Sequence, residues 1–246
     1  MNQIYEQSPL TRPAIPPASS YSMFTRRSEM NPYRILIADD HEIVRQGVRS
    51  LLANHPGWEI CGEARDGREA VECSKALKPD LVLLDIGMPN LNGLDAARQI
   101  IAHHPLTHVL VLTIYDSDQV VRDVLAAGAR GFLLKSDAGK DLINAVEAMQ
   151  RHSTFFTSQV AEIVLDGYLD SRQQFPAPPR NRLTPREREV VQLLAEGKTS
   201  KEVAVALHLS VKTAETHRTN IMRKLDLHSV ADLTLYAVRN GIIQVF

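Results

Sequence analysis

The sequence predicts an α/β fold, a five-stranded doubly wound parallel sheet, joined to a small all-α region that contains a helix-turn-helix. Three observations carry that expectation. Short apolar runs recur at helix-length intervals: Ile35-Leu36-Ile37-Ala38, Leu81-Val82-Leu83-Leu84, Val109-Leu110-Val111-Leu112 and Phe132-Leu133-Leu134. Runs of this length between amphipathic segments read as strands buried on both faces. From Leu183 onward the pattern is helical instead, with a cap signal before each segment. Charge divides in the same way: residues 34–150 hold 12 Lys+Arg against 17 Asp+Glu, and residues 180–246 hold 11 against 7. An acidic half joined to a basic half implies two tasks, with nucleic acid the candidate partner of the basic one.

Taken in order, residues 1–33 carry Pro9, Pro13, Pro16, Pro17 and Pro32 among Ser and Thr without periodicity, and read as a disordered extension. Met30, just before the first apolar run, is a second candidate for the start of translation. Residues 34–150 form the α/β domain, whose second strand lies near Glu59 to Gly62. Asp66-Gly67-Arg68-Glu69 and Asn92-Gly93-Leu94-Asp95 each set a capping side chain three residues before an acid. After Ser117, Val120, Val121, Val124 and Leu125 share one helical face until Gly128 stops it. The last helix of this half starts near Ala138 and shows Leu142, Ile143, Val146 and Met149. Residues 151–179 are a connector: one short helix within 160–169, then the proline-rich Gln173-Gln174-Phe175-Pro176-Ala177-Pro178-Pro179.

Residues 180–246 are predicted to fold as four helices. Thr184-Pro185-Arg186-Glu187 supplies an N-cap, a proline at the first helical position and a capping-box acid. Gly197 ends that helix, Thr199-Ser200-Lys201-Glu202 opens the second, Ser210 caps the third and Ser229 the fourth. The short His208-Leu209 turn makes the second and third a helix-turn-helix candidate.

Composition narrows the class further. The 44% hydrophobic and 23% charged fractions are those of a soluble globular protein. No apolar run approaches the roughly 20 residues needed to span a bilayer, and no signal-peptide core follows Arg26-Arg27. Two cysteines, Cys61 and Cys73, make no disulfide framework and read as reduced thiols. A cytoplasmic location is therefore expected.

Polar residues placed immediately after the apolar runs carry the chemistry. Asp39 and Asp40 follow the first run, Asp85 the second, Thr113 the third and Lys135 the fourth. In a parallel sheet these loops gather at one edge, where ligands bind. Three carboxylates, a hydroxyl and an ammonium suit a hard cation and a phosphoryl group. Mg²⁺ takes one or two carboxylates plus phosphate oxygens and keeps several waters. Asp85 is the natural nucleophile, since a carboxylate can hold a phosphoryl group as an acyl phosphate. Singly, an Asp-Asp pair is usually helix-start charge and a lone Lys is usually solvated. Four such positions on one edge change the odds.

Asp39-Asp40, Asp85 with Met88-Pro89 and Gly93, Thr113, and Gly131-Phe132-Leu133-Leu134-Lys135 resemble the receiver domain of two-component response regulators, which has a flavodoxin-like fold. The resemblance implies that Asp85 is the phospho-acceptor, that Asp39, Asp40, Asp85 and the Gly87 carbonyl hold Mg²⁺, and that Thr113, Phe132 and Lys135 form the phosphate-sensing switch. Phe132 occupies the aromatic switch position, without the phenolic hydroxyl of the Tyr found in many receivers. Ile114 stands where many receivers have a small residue, and Gly87 and Tyr115 stand at positions that tune dephosphorylation.

In a helix-turn-helix the second helix meets base edges in the major groove. Here it offers Lys212, Thr213, Glu215, Thr216, His217, Thr219, Asn220, Arg223 and Lys224, a mixture of base-reading and phosphate-binding side chains. A solvated face of a small bundle is the bland alternative. Leu183-Thr184-Pro185-Arg186-Glu187, Gly197-Lys198-Thr199-Ser200-Lys201-Glu202, Ser210-Val211-Lys212-Thr213-Ala214-Glu215-Thr216-His217 and Ile221-Met222-Arg223-Lys224-Leu225 resemble the LuxR-type DNA-binding domain. By position, Glu215, Thr216 and Thr219 look base-facing, and Thr199, Lys201, Lys212, Thr213, His217 and Arg223 look like phosphate contacts. Ala214 stands where Val is usual. The nine histidines show no metal spacing, and His103-His104 reads as a helix end.

A receiver followed by a LuxR-type domain is the architecture of NarL/FixJ-family response regulators. That implies a non-enzymatic transcription regulator whose partners are a sensor histidine kinase, double-stranded DNA, RNA polymerase and, on activation, a second copy of itself. Phosphorylation would alter the surface formed by the fourth helix, fifth strand and fifth helix, and so release the DNA-binding domain or favour a dimer. Three alternatives stand beside this reading: a DNA-binding regulator whose receiver is only a protein-interaction module, a phosphatase working through an aspartyl phosphate, and a protein-binding adaptor. Many such phosphatases carry a second Asp two residues after the nucleophile, where this chain has Gly87.

Overall fold

A computed structural model describes residues 31–115, 117–156, 160 and 183–243. The predicted N-terminal extension up to residue 30, the connector helix beyond Val160 and the proline-rich linker lie outside the described residues. The described chain from Tyr33 onward belongs to one compact unit.

The first part alternates β1 (Tyr33–Ala38), α1 (Glu42–Leu52), β2 (Trp58–Ala64), α2 (Gly67–Leu77), β3 (Leu81–Leu84), α3 (Gly93–His103), β4 (His108–Thr113), α4 (Asp118–Ala126), β5 (Gly131–Leu134) and α5 (Ala138–Gln150). All four strand pairings are parallel, in the order β2-β1-β3-β4-β5. The order reverses direction next to β1, which opens a crevice at the carboxyl ends of β1 and β3.

Strand alternation sorts the core into two layers. Leu36, Ala38, Val82, Leu84, Val109 and Val111 point to the side covered by α2, α3 and α4. Ile35, Ile37, Leu81, Leu83, Leu110 and Leu112 point to the side covered by α1 and α5. Burial on both faces is why these strands read as unbroken apolar runs.

The caps anticipated from sequence are made by side chains. Asp66 accepts from the Arg68 and Glu69 amides, Asn92 from Leu94 and Ser117 from Val120. Each such cap stabilises its helix by about 1 kcal/mol. Cys61 and Cys73 are both unpaired and partly buried.

The second part is α6 (Pro185–Ala195), α7 (Ser200–Ala206), α8 (Val211–Leu225) and α9 (Val230–Arg239). Thr184, Thr199 and Ser229 close capping boxes with Glu187, Glu202 and Asp232. Val190, Val191, Leu193, Val203, Ala214, Ile221, Leu233 and Ala237 form its core. His208, at φ 52°, turns the chain sharply between α7 and α8.

Candidate functional site

The parallel ladder delivers the predicted polar residues to one edge. Asp39 N donates to Ala64 O at 3.1 Å, Asp85 N to Ala38 O at 2.9 Å and Lys135 N to Thr113 O at 2.8 Å, so each residue is fixed by the strand beside it. Asp39, Asp85 and Thr113 are buried, and Asp40 and Lys135 are half-buried. Lys135 Nζ lies 2.7 Å from Asp39 Oδ2 and 2.8 Å from Asp85 Oδ2. Asp85 Oδ1 accepts from the Ile86 amide at 2.8 Å.

Burial pushes the Asp85 carboxyl above the ordinary carboxylate range, and the opposing pull of Lys135 reduces that shift. Burial also works against the Lys135 charge, but Asp85 and Asp39 outweigh it and hold its pKa above the usual lysine value. The pocket thus keeps an ammonium firmly charged beside a desolvated carboxylate.

Asp39, Asp40, His41 and Asp85 present ligand atoms within 4.8 Å of one another. Asp39 Oδ2 and Asp40 Oδ1 are buried and lie 2.7 Å from Lys135 Nζ and His41 Nδ1. A carboxylate oxygen carries more than one lone pair, so a hard cation can share these oxygens with their ion-pair partners. His41 is the member that sequence reasoning missed. Its position right after Asp-Asp, where it precedes α1, was the available signal.

Thr113 Oγ1 accepts from the Tyr115 amide at 3.3 Å, which leaves its own proton to donate. Phe132 is fully buried among the residues on the α2–α4 side of the sheet. Gly87 sits in the 86–92 loop and borders, with Asp40, a cavity of about 130 Å³.

On the helical side, Lys212, Thr213, Glu215, Thr216, Thr219 and Arg223 are exposed along α8, as are Thr199 and Lys201 at α7, while His217 is half-buried. Two of the predicted phosphate-binding hydroxyls already serve local structure: Thr199 in its capping box and Thr213 bonded to Ser210.

One finding was not legible in sequence. The two halves touch through α6, residues 196–198 and residues 241–242 on one side, and α2, α3 and the 86–92 loop on the other. Arg188 Nε pairs with Asp95 at 3.2 Å, and Glu189 takes both Arg68 at 3.3 Å and Gln99 at 3.0 Å. Among the described residues, every hydrogen bond and ion pair between the halves falls on these elements. The α4–β5–α5 surface, which the sequence reading made the transmitting face, takes no part in them. The outward side chains of α8 stay exposed while the halves are docked.

Comparisons with known proteins agree with this geometry. Residues 35–147 match the model for the response regulator receiver domain, and residues 181–237 match that for bacterial regulatory proteins of the luxR family. The chain is 38% identical to the transcriptional regulatory protein LiaR of Bacillus subtilis over 85% of this chain and 99% of that one. It is 35% identical to the response regulator VraR of Staphylococcus aureus over 86% and 99%. Among solved structures, RcsB of Salmonella typhimurium superposes with TM-score 0.57 at 28% identity, over 86% of this chain and 99% of that one. An RcsB–DNA complex superposes with TM-score 0.52 at 28% identity, over 85% and 99%.

Proposed function

This chain belongs to the response regulators that join a receiver to a LuxR-type DNA-binding domain, the NarL/FixJ type, and from that premise we propose that phosphorylation of Asp85 switches its control of transcription. The observation that carries the proposal is the Lys135 ammonium bridging Asp39 and Asp85 beside a third carboxylate, Asp40. Asp39, Asp40, Asp85 and the Gly87 carbonyl would hold Mg²⁺, which would supply positive charge against the phosphoryl oxygens.

A carboxylate oxygen of Asp85 attacks phosphorus, the bond from phosphorus to the donor histidine nitrogen breaks, and an acyl phosphate remains on Asp85. Desolvation of Asp85 leaves this nucleophile poorly hydrated before attack. The Lys135 ammonium exchanges its contact with Asp85 for one with a phosphoryl oxygen. Thr113 donates its hydroxyl proton to another, and Phe132, fully buried in this structure, is the third member of the switch.

A sensor histidine kinase is the donor, and the working compartment is the cytoplasm. Among the described residues no helix is long and apolar enough to cross a membrane. Glu215, Thr216 and Thr219 read bases while Thr199, Lys201, Lys212, Thr213, His217 and Arg223 hold phosphates, on two copies of the chain spaced by about one turn of DNA. The role is regulatory rather than enzymatic, with RNA polymerase as the downstream partner. The similarity to a regulator solved as a DNA complex supports the duplex as target.

Sedimentation velocity with Mg²⁺ and beryllofluoride, a phosphoryl mimic, tests the reading. Wild type is expected to shift toward dimer and Asp85→Asn is not. An equal shift toward dimer in both proteins would refute Asp85 as the acceptor, and no shift in either would leave release of the DNA-binding half, without dimerisation, as its mode of action.

A further inference from the structure

A buried arginine holds the turn that carries Asp39 and Asp40. Arg45 lies in the first turn of α1 and is 5% exposed. A guanidinium stays charged in proteins, so burial on this scale needs well-placed partners. Nη1 donates to Asp39 O at 2.8 Å, inside the fold, and Nε donates to Glu63 Oε2 at 3.2 Å near the end of β2. Glu63 is held from the outside as well, where Arg49 Nε donates to its Oε1 at 2.8 Å. Hydrogen bonds from Arg49 and, after it, from Arg45 keep the Glu63 carboxyl below its usual range against its partial burial. One side chain thus ties together α1, the edge strand β2 and the turn after β1.

The Asp39 carbonyl belongs to the peptide unit between the two acids, which is planar and turns as one piece. Consecutive side chains of an extended chain point to opposite sides. The Asp39 and Asp40 carboxylates nonetheless offer oxygens within 4.8 Å of one another, across a bend at residue 40. The rotation of that one peptide therefore decides whether they converge. The Asp39 amide is fixed on Ala64 O at 3.1 Å, and Arg45 fixes the oxygen at the other end of the residue. Little else in α1 holds the bend. His41, at the N-cap, makes no side-chain cap, and the local tie is the His41 amide donating to Asp39 Oδ1 at 2.9 Å.

Charge and position act in opposite directions here. A guanidinium beside the acids repels a second cation. If charge were its whole effect, removing Arg45 would tighten the site for Mg²⁺. If its bond to Asp39 O keeps the two carboxylates converged, removing it loosens the site.

We propose that Arg45 is a positioning residue of the cation site: through Asp39 O it sets the peptide between Asp39 and Asp40, so that both carboxylates meet one Mg²⁺. This rests on Asp39 and Asp40 being the cation ligands. Arginine is required because the two bonds leave different nitrogens of one rigid plane toward two elements, which the single ammonium of lysine does not reproduce.

The test uses the full chain as wild type, Arg45→Ala, Arg45→Lys, Glu63→Ala, Arg49→Ala and Asp40→Asn. Mg²⁺ affinity is measured without any phosphoryl mimic, by displacement of Mn²⁺ followed by electron paramagnetic resonance. Calorimetry then gives the amplitude of beryllofluoride uptake at saturating Mg²⁺. Both Arg45 variants are expected to bind Mg²⁺ about tenfold more weakly, as loss of a partner behind a metal ligand usually does, with the uptake amplitude retained. Arg49→Ala removes a partner of Glu63 but none of Asp39, and should match wild type. Glu63→Ala frees Nε and should weaken binding by less; it carries the test if neither Arg45 variant folds. Mg²⁺ affinity equal to or above wild type in the folded Arg45 variants, or in Glu63→Ala where neither folds, would overturn the proposal. So would an Arg49→Ala loss as large as theirs, or lost uptake amplitude at unchanged Mg²⁺ affinity, which marks a structural role alone. Equal Mg²⁺ affinity in Asp40→Asn and wild type would remove the cation site, and the positioning role with it.

Discussion

Gly93→Ala is a one-methyl change that should damage both stability and the acceptor site. Gly93 opens α3, and its amide closes the turn after β3 by donating to Ile86 O at 2.9 Å. A Cβ at this position would lie 1.8 Å from Asp85 O, 2.8 Å from Asp85 C and 2.9 Å from Ile86 Cα. All three are backbone atoms, so no side chain can rotate away. Restoring an ordinary contact of 3.4 Å separates α3 from the end of β3 by about 1.6 Å, an overpacking that costs about 1–3 kcal/mol or more. The displaced residue is Asp85 itself, and a misplacement of about 1 Å at reacting atoms costs roughly 100-fold.

Gly47→Ala is the matched control. It lies inside α1 with no atom within 4 Å of the added methyl, and should stabilise by about 0.4–1 kcal/mol. Urea denaturation and beryllofluoride uptake of the two variants read both effects. A Gly93→Ala protein with wild-type midpoint and uptake would refute the argument that backbone contact at this turn sets the position of Asp85.

Two further predictions concern other parts of the molecule. Burial holds the His108 imidazole, bonded to Met149 O at 3.0 Å, below its ordinary pKa of 6.5. The unfolded chain then binds the proton more readily. This contribution is complete above pH 6.5 and is lost as pH falls below it, toward the folded value. Urea midpoints should drop between about pH 7.5 and 5.5 in wild type and drop less in His108→Asn; equal slopes would count against His108 as the source. For the DNA-binding half, Lys212→Ala should weaken binding to unrelated duplexes alike and flatten the dependence of log affinity on log salt by about 0.9. Fluorescence anisotropy across a salt series measures this, and an unchanged slope would take Lys212 off the phosphate backbone.

What the sequence determined by itself was the class of fold, the edge where the chemistry gathers and the side-chain caps of α2, α3, α4 and the four helices of the second part. The physical reason is that these are local. A strand buried on both faces must be apolar along its whole length, as Leu81-Val82-Leu83-Leu84 is. A cap must be a short polar side chain at one position, as Thr184, Thr199 and Ser229 are. Asp39, Asp85 and Lys135 were legible as a group because parallel strands bring their carboxyl ends together whatever the intervening helices do.

The tertiary structure alone decided the rest. His41, in extended conformation just before α1, entered the acid cluster because its ring comes to rest 2.7 Å from Asp40. Gln192 and Glu196 look in sequence like ordinary polar residues of a helix, and Asn92 like a helix cap alone. Gln192 and Asn92 stand a hundred residues apart in the chain, and their pairing depends on how α6 meets α3. The docking face at the loop beside Asp85 was not legible, because directional hydrogen bonds, unlike hydrophobic periodicity, leave no trace in the order of residues.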